Sequence, residues 1–244
     1  SFNVSNGEIK YFDTLLSEAQ STTDMAVHFD KLYAAQEMFM LDMPIVPVYH
    51  SSDTMLVSDN LQNWGRSVLG TVDFSAANMV GVDQTFNWNI GADPAILDPA
   101  INGASDGGNV INNTFEGLVR EINGEVLPGV AESWVTSADG LTVTFTLRDS
   151  KWSNGDDLVA GDFVYAWLRG MDPASASEYS WIWEYTNVVG AAEAVEGGSL
   201  DDVGVKALDA NTLEVKLTAP TDYIISLLSF YHFMPVKQSA VESA

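Results

Sequence analysis

The sequence predicts a mixed α+β fold, and three observations carry that reading. Apolar side chains in the first 42 residues recur at helical spacing. Beyond residue 80, several stretches alternate apolar and polar residues at the period of a half-buried strand. The two signals are interspersed without a regular β-α-β period, which argues for α+β or irregular α/β architecture over a doubly wound sheet.

In chain order, Tyr11, Leu15, Leu16 and Ala19 mark a first helix. After a break at Ser21-Thr22-Thr23-Asp24, the residues Phe29, Leu32, Tyr33, Gln36 and Phe39 mark the buried face of a second, with Asp24 as its N-cap. Pro44 ends it, and Ile45-Val46-Pro47-Val48-Tyr49 reads as a short buried strand that Pro47 confines to an edge or bulge. From Ser51 to Val80 the signal is weak, with a short strand at Met55-Leu56-Val57 and a linker at Ser75-Ala76-Ala77-Asn78-Met79. Phe86, Trp88 and Ile90 alternate as a strand, and Ile111 to Leu118 reads as a helix. Asn123-Gly124 predicts a tight hairpin joining Val119–Ile122 to Glu125–Leu127. Leu141, Val143, Phe145 and Leu147 alternate with threonines, giving the cleanest strand signal in the chain. Phe163, Val164, Trp167 and Leu168 mark a helix that starts near Ala160. Leu213, Val215 and Leu217 form a strand after the Asp209-Ala210-Asn211 turn, and Pro220 opens a helix over Tyr223 to Phe230.

Composition narrows the function. The 244 residues suit one large domain or two small ones, and 46% hydrophobic content supports a real core. Ten Lys+Arg against 34 Asp+Glu give a net charge of −24, which argues against binding a phosphate backbone or an anionic membrane surface. No run of about 18 apolar residues offers a membrane span. The absence of cysteine removes disulfides, thiolate metal sites and cysteine nucleophiles. No basic segment followed by an apolar stretch opens the sequence, so it reads as a mature or trimmed chain, and its acidity fits an extracytoplasmic protein.

The common catalytic signatures, a P-loop, GxGxxG, GxSxG and HExxH, are missing, and no cofactor is implied. Of the three histidines, His28 reads as a surface or helix-packing residue. His50 and His232 could meet in a cleft, where a zinc site would still need carboxylates. The pairs Asp156-Asp157 and Asp201-Asp202 stand in turn contexts. The stretch Ser105-Asp106-Gly107-Gly108-Asn109 is either a ligand-cradling loop or a plain turn before the helix at Ile111, with Asn109 as its cap. Tyr179, Trp181, Trp183 and Tyr185 would share one face of an extended segment, lining a sugar or peptide groove or else packing in the core. An acidic hydrolase with paired carboxylates and a carbohydrate-binding module both stay open on these residues alone.

Several motifs resemble, in order, the solute-binding proteins of oligopeptide ABC importers, family 5 of the extracellular solute-binding proteins. They are Leu97-Asp98-Pro99, Phe115-Glu116-Gly117-Leu118, Leu127 to Trp134, Leu141 to Arg148, Lys151 to Gly155, Ala160 to Trp167, Leu213 to Leu217 and Pro220. Residues 1–74, with Tyr11 to Ala19, Ala35-Gln36-Glu37 and Asp42 to Tyr49, resemble the end of such proteins, whereas residues from about 80 resemble their beginning. The resemblance therefore implies one discontinuous lobe of a periplasmic-binding-protein-like fold, with a small β-rich subdomain, permuted into one chain. Residues 1–74 would be the native C-terminal part, 75–79 the join and 80–244 the native N-terminal part. Met79 in mid-chain and the absent second lobe favour engineering over a natural permutation.

The family binds peptides between two closing lobes and delivers them to a membrane permease, without catalysis. By resemblance, Ala104, Ser105, Asp106 and Gly107 run beside the peptide backbone, Tyr49 and His50 follow a strand that reaches the cleft, and Tyr231, His232 and Phe233 lead towards the interlobe crossing. The glycines at 107 and 108 depart from the bulkier residues common there. The expected partners are a peptide, an ABC permease and the second lobe. The lobe alone should bind weakly or not at all, and Tyr231 and Phe233, exposed at the lobe interface, would promote self-association. Nickel-complex, disaccharide and opine binders share these motifs, so they leave the ligand open.

Overall fold

A computed structural model describes residues 6–22, 24–50, 52, 54–83 and 85–243; Thr23, inside the expected interhelical break, lies outside them. The chain divides into two compact units, Ser1–Val57 with Ala219–Asp222, and Ser58–Thr218 with Tyr223–Ala244.

In the first unit, α1 (Asn6–Gln20) and α2 (Met25–Asp42) form a helical pair. Asp24 caps α2 as expected, its Oδ1 accepting the N–H of Ala26 at 2.9 Å and of Val27 at 3.3 Å. The expected apolar face is only partly buried: Phe29, Tyr33 and Gln36 are exposed. The sheltered stripe runs through His28, Leu32, Ala35 and Phe39, because a single neighbouring helix covers only a narrow seam. His28 belongs to that seam, with Nδ1 2.7 Å from the Ala19 carbonyl. Met43, in the left-handed region at φ 45°, ends α2.

The strand expected at Ile45–Tyr49 is absent. The segment is irregular, with Val46, Val48 and Tyr49 all at least 80% exposed. A strand exists only by pairing, none of the described residues pairs here, and Pro44 and Pro47 have no N–H to offer. Met55–Val57 is likewise irregular, with Leu56 fully exposed.

The second unit is built on a four-stranded antiparallel sheet in the order β11-β12-β8-β7, where β7 is Ala131–Thr136, β8 Thr142–Leu147, β11 Val205–Ala207 and β12 Thr212–Lys216. Val143, Phe145 and Leu147 point inwards and sit opposite equally buried partners, Phe145 across from Leu213 and Val143 across from Val215. Against this face packs α4 (Ala160–Met171), which buries Phe163, Trp167 and Met171 completely. Asp162 fixes the start of α4: its Oδ2 accepts the Val159 N–H at 3.0 Å and the Trp152 indole N–H at 2.9 Å. One carboxylate thus ties the Lys151–Gly155 motif to the Ala160–Trp167 motif.

The hairpin of β5 (Val119–Ile122) and β6 (Glu125–Pro128) forms in the expected register, with Asn123 and Gly124 at φ 54° and 85°, both positive as a type I′ turn requires. Short strands β1 (Leu61–Gln62) and β4 (Asn78–Met79) pair, as do β2 (Gly65–Arg66) and β3 (Val72–Asp73), so the stretch read as a linker contains β4. Phe86–Ile90 makes no strand; Phe86 and Trp88 instead pack their rings on Phe74, with centroids 4.9 and 5.0 Å away.

Two helix boundaries differ from expectation. Helix α3 spans Ser105–Thr114, beginning six residues before Ile111 and ending before Phe115. The expected Tyr223–Phe230 helix is the single turn α6 (Ile224–Leu227), four residues beyond Pro220.

Residues 65–74 are stitched to α3 and β5 by side chains. Asn109 accepts the Val72 N–H at 3.1 Å, Asn113 accepts the Phe74 N–H at 2.7 Å, and Asn113 Nδ2 donates to the Val72 carbonyl at 2.8 Å. Asn109 therefore acts within α3 and does not cap it. Buried Asp73 pairs with Arg120 at 2.8 Å, and Arg120 pairs with Glu116 at 3.0 Å.

Candidate ligand cleft

A cleft of about 610 Å³ opens on the second unit. One wall is the Val68–Thr71 loop between β2 and β3, closed by the Ser67 N–H to Thr71 carbonyl bond at 2.8 Å and steadied by Arg66 Nε donating to Gly70 at 3.1 Å. The first two turns of α3 supply Ser105, Gly108 and Asn109. Tyr179, Trp181 and Ile182 also line it, with Tyr223, Phe230 and Tyr231 completing an aromatic lining. Among the described residues, Glu121 is the one charged side chain on the surface of this cleft.

The aromatic floor is close-packed. Tyr179 meets Phe230 at 5.2 Å and Tyr231 at 6.2 Å, both edge-on. Tyr231 donates its hydroxyl to the Asn102 carbonyl at 3.2 Å, and burial pushes its phenol well above the ordinary tyrosine range. The glycines of α3 permit this approach. A Cβ on Gly108 would fall 2.6 Å from the Tyr231 ring, and one on Gly107 would fall 2.1 Å from Asn102 Oδ1.

The sequence-predicted site residues divide accordingly. Ser105 and Tyr231 line the cleft. Ala104 is the exposed N-cap position of α3, and Asp106 Oδ1 accepts the Gly107 N–H at 3.0 Å in its first turn. Gly107 is buried beneath, so the expected loop is a helix N-terminus. Tyr49 and His50 lie in the exposed irregular segment of the first unit.

His232 and Phe233 sit behind Tyr231 in the core, 2% and 0% exposed. Trp167 Nε1 donates to the Phe233 carbonyl at 2.8 Å, and Trp183 Nε1 donates to His232 Nε2 at 3.1 Å. Both residues are thus pegged by indoles. The self-association expected of Tyr231 and Phe233 loses its basis, since neither is exposed. Burial lowers the His232 imidazole to about 4, partly offset by the nearby Pro99 carbonyl and Asp98 carboxylate. The Asp98 carboxylate also pairs with Arg169 at 2.8 Å. His50 and His232 belong to different units, and no group of three or more metal-ligating side chains is assembled among the described residues.

The aromatic row behaves differently from an extended strand. Ser180–Tyr185 is a 3-10 helix, in which residues two apart diverge. Trp183 is buried at 1% exposure while Trp181 and Tyr185 are half exposed. Sequence reasoning missed the Val68–Thr71 loop and Glu121, which the fold gathers from segments about fifty residues apart and which no local signal connects.

A second cleft, of about 890 Å³, lies elsewhere on this unit, and its basic residues are paired. Arg148 bonds Glu116 at 2.5 Å, Lys151 bonds Asp157 at 2.5 Å, and Lys237 bonds Asp156. No helix among the described residues is long and apolar enough to cross a membrane.

The cleft thus lies on a unit built from a four-stranded antiparallel sheet with α4 packed against it. Residues 125–244 match the family described as bacterial extracellular solute-binding proteins, family 5 Middle, and over this part the chain belongs to that family. It is 46% identical over 161 residues to the oligopeptide-binding protein OppA of Bacillus subtilis (strain 168), covering 65% of this chain and 29% of that protein. It is 41% identical over 174 residues to the periplasmic oligopeptide-binding protein OppA of Escherichia coli (strain K12), covering 70% of this chain and 32% of that one. Among solved structures it resembles Haemophilus influenzae OppA in complex with RPPGFSPFR, at a TM-score of 0.62 and 39% identity over 64% of this chain and 31% of that one. The Escherichia coli murein tripeptide binding protein MppA matches at a TM-score of 0.60 and 39% identity over 62% and 30%. The chain spans about a third or less of each relative.

Proposed function

We propose that this chain carries one lobe of an extracytoplasmic peptide-binding protein serving an ABC importer, and that the cleft between the Val68–Thr71 loop and Trp181 is its share of the peptide site. The observation that carries this reading is the cleft itself. It joins Ser105 and Tyr231, two positions the family resemblance assigns to the ligand, to an aromatic lining of the kind that buries peptide side chains. Relatives named for oligopeptide binding, one of them solved with a bound peptide, support peptide as the ligand class.

A binding role is favoured over hydrolysis because, among the described residues, Glu121 stands alone as a carboxylate on the cleft, whereas acid–base cleavage of a glycoside takes two. A carbohydrate platform is disfavoured because Trp181 and Trp183 do not share a face. The remaining site residues, Ala104, Asp106, Gly107, Tyr49, His50, His232 and Phe233, act in this reading as framework or as contacts completed by the second lobe.

The reading includes a permuted order, with residues 1–74 as the native C-terminal part, 75–79 as the join and 80–244 as the native N-terminal part. The side-chain stitching of residues 65–74 to α3 and β5 supports it, since those segments behave as neighbours in one body. One lobe of a closing cleft forfeits half its contacts and its exclusion of water, so the chain alone binds weakly. Titrating RPPGFSPFR into the chain, followed by amide and indole NMR, tests this. The expected result is saturable, millimolar shifts at Ser105, Asn109 and Trp181. No shifts, or shifts confined to the Arg148–Lys237 cleft, would contradict the site, and a low-micromolar isotherm would contradict its being half a site.

A further inference from the structure

The charge on the cleft is more specific than peptide binding requires. Among the described residues no lysine, arginine or histidine lines it, and its single carboxylate, Glu121, is held in place by both oxygens. Oε2 accepts the Val68 N–H at 2.8 Å and Oε1 accepts the Gly124 N–H at 2.7 Å, so the loop wall and the hairpin turn converge on one carboxylate. Two backbone bonds leave further lone pairs on the same two oxygens. Around the cleft stand aromatic faces, among them half-exposed Trp181, packed against Tyr179 and Tyr185 at 5.9 Å each. A fixed carboxylate and exposed indole and phenol faces lining one cleft form an arrangement that attracts a cation on an apolar stem. The surrounding chain, at −24, deepens that attraction and repels acidic side chains.

We propose that this cleft selects peptides presenting a lysine or arginine side chain, with Glu121 meeting the charge and Trp181 the stem. The proposal rests on the peptide-site reading above and adds the side-chain class. It is tested with three capped peptides, acetyl-Ala-Xaa-Ala-amide with Xaa as Lys, norleucine or Glu, so that the central side chain is the one variable and the only charge. Binding to the chain is followed through the Val68 and Gly124 amides and the Trp181 indole by NMR.

The lysine peptide should bind about fivefold more tightly than the norleucine peptide, and the glutamate peptide should be the weakest. Glu121→Gln should reduce the lysine advantage to less than about twofold, and so should salt near about 0.5 M. Should Glu121→Gln loosen the hairpin, Trp181→Leu, at a half-exposed position, tests the same preference and should also shrink it. Norleucine binding as well as lysine, or a lysine advantage unchanged in both variants, overturns the selectivity and leaves the peptide site standing. Failure of all three peptides and of RPPGFSPFR to shift the cleft overturns the site and the selectivity together.

Discussion

Residues 43–50 and residues 65–74 both belong to the stretch proposed as the native C-terminal part, yet they meet opposite fates. The second is fixed: Val72 and Asp73 are buried, and side chains of α3 and β5, together with the Asn123 turn, anchor it. The first carries an apolar, strand-like sequence into solvent, with Val48 and Tyr49 more than 80% exposed. Intrinsic preference is similar in the two. The difference lies in partners, for the later segment finds amides, a guanidinium and a turn to bind, while the earlier finds no ladder among the described residues.

Breaking the anchored side should cost most. Arg120→Ala leaves the Asp73 carboxylate buried without its cation and should destabilise the second unit by about 3 kcal/mol, read as a lowered denaturant midpoint. The core behind the cleft gives a pH-dependent effect of similar size. In the unfolded chain the His232 imidazole takes up its proton near 6.5, whereas the folded protein holds it unprotonated down to about 4. Between those values the unfolded state binds more protons, so this group's contribution is complete above about 6.5 and is lost as the pH falls to about 4. The loss is on the order of 3 kcal/mol. Urea unfolding at pH 7, 5.5 and 4.5 should show that slope, and His232→Gln should flatten it.

Replacing Gly108 with alanine should cost about 1 to 3 kcal/mol through overpacking against Tyr231, and should shift the Tyr231 ring resonances. At the other end of the comparison, Leu56→Ser should change stability by less than about 0.5 kcal/mol, since its side chain is already in water.

The elements legible in the sequence were those whose cause is local. The Asn123-Gly124 turn carries its own geometry, β8 alternates because one face is core, and Asp24 caps α2 with its own side chain. What escaped depends on distant atoms. Two glycines in the first turn of α3 read as loop, costing a helix roughly 1 kcal/mol each against alanine, yet they stand in the helix, where Tyr231 and Asn102 occupy the space a Cβ would need. The aromatic row read as extended because period two is also what a strand shows, whereas Trp183 is drawn inward by His232. Of the cleft, Ser105 and Tyr231 were legible through family resemblance and Tyr179 and Trp181 through their spacing. Glu121 was not, because its carboxylate is defined by a loop more than fifty residues earlier in the chain.

The central claim is that residues 65–74 form one cooperative body with α3, β5 and the main sheet, as a lobe assembled from both ends of a family member requires. Native-state hydrogen exchange tests it most directly. The amides of Val72, Phe74 and Asn123 should open with the same free energy as those of Val143 and Phe145, while the amides of Val46, Val48 and Tyr49 exchange almost freely. Rapid exchange at Val72 and Phe74, matching that of Val46 to Tyr49, would contradict the account.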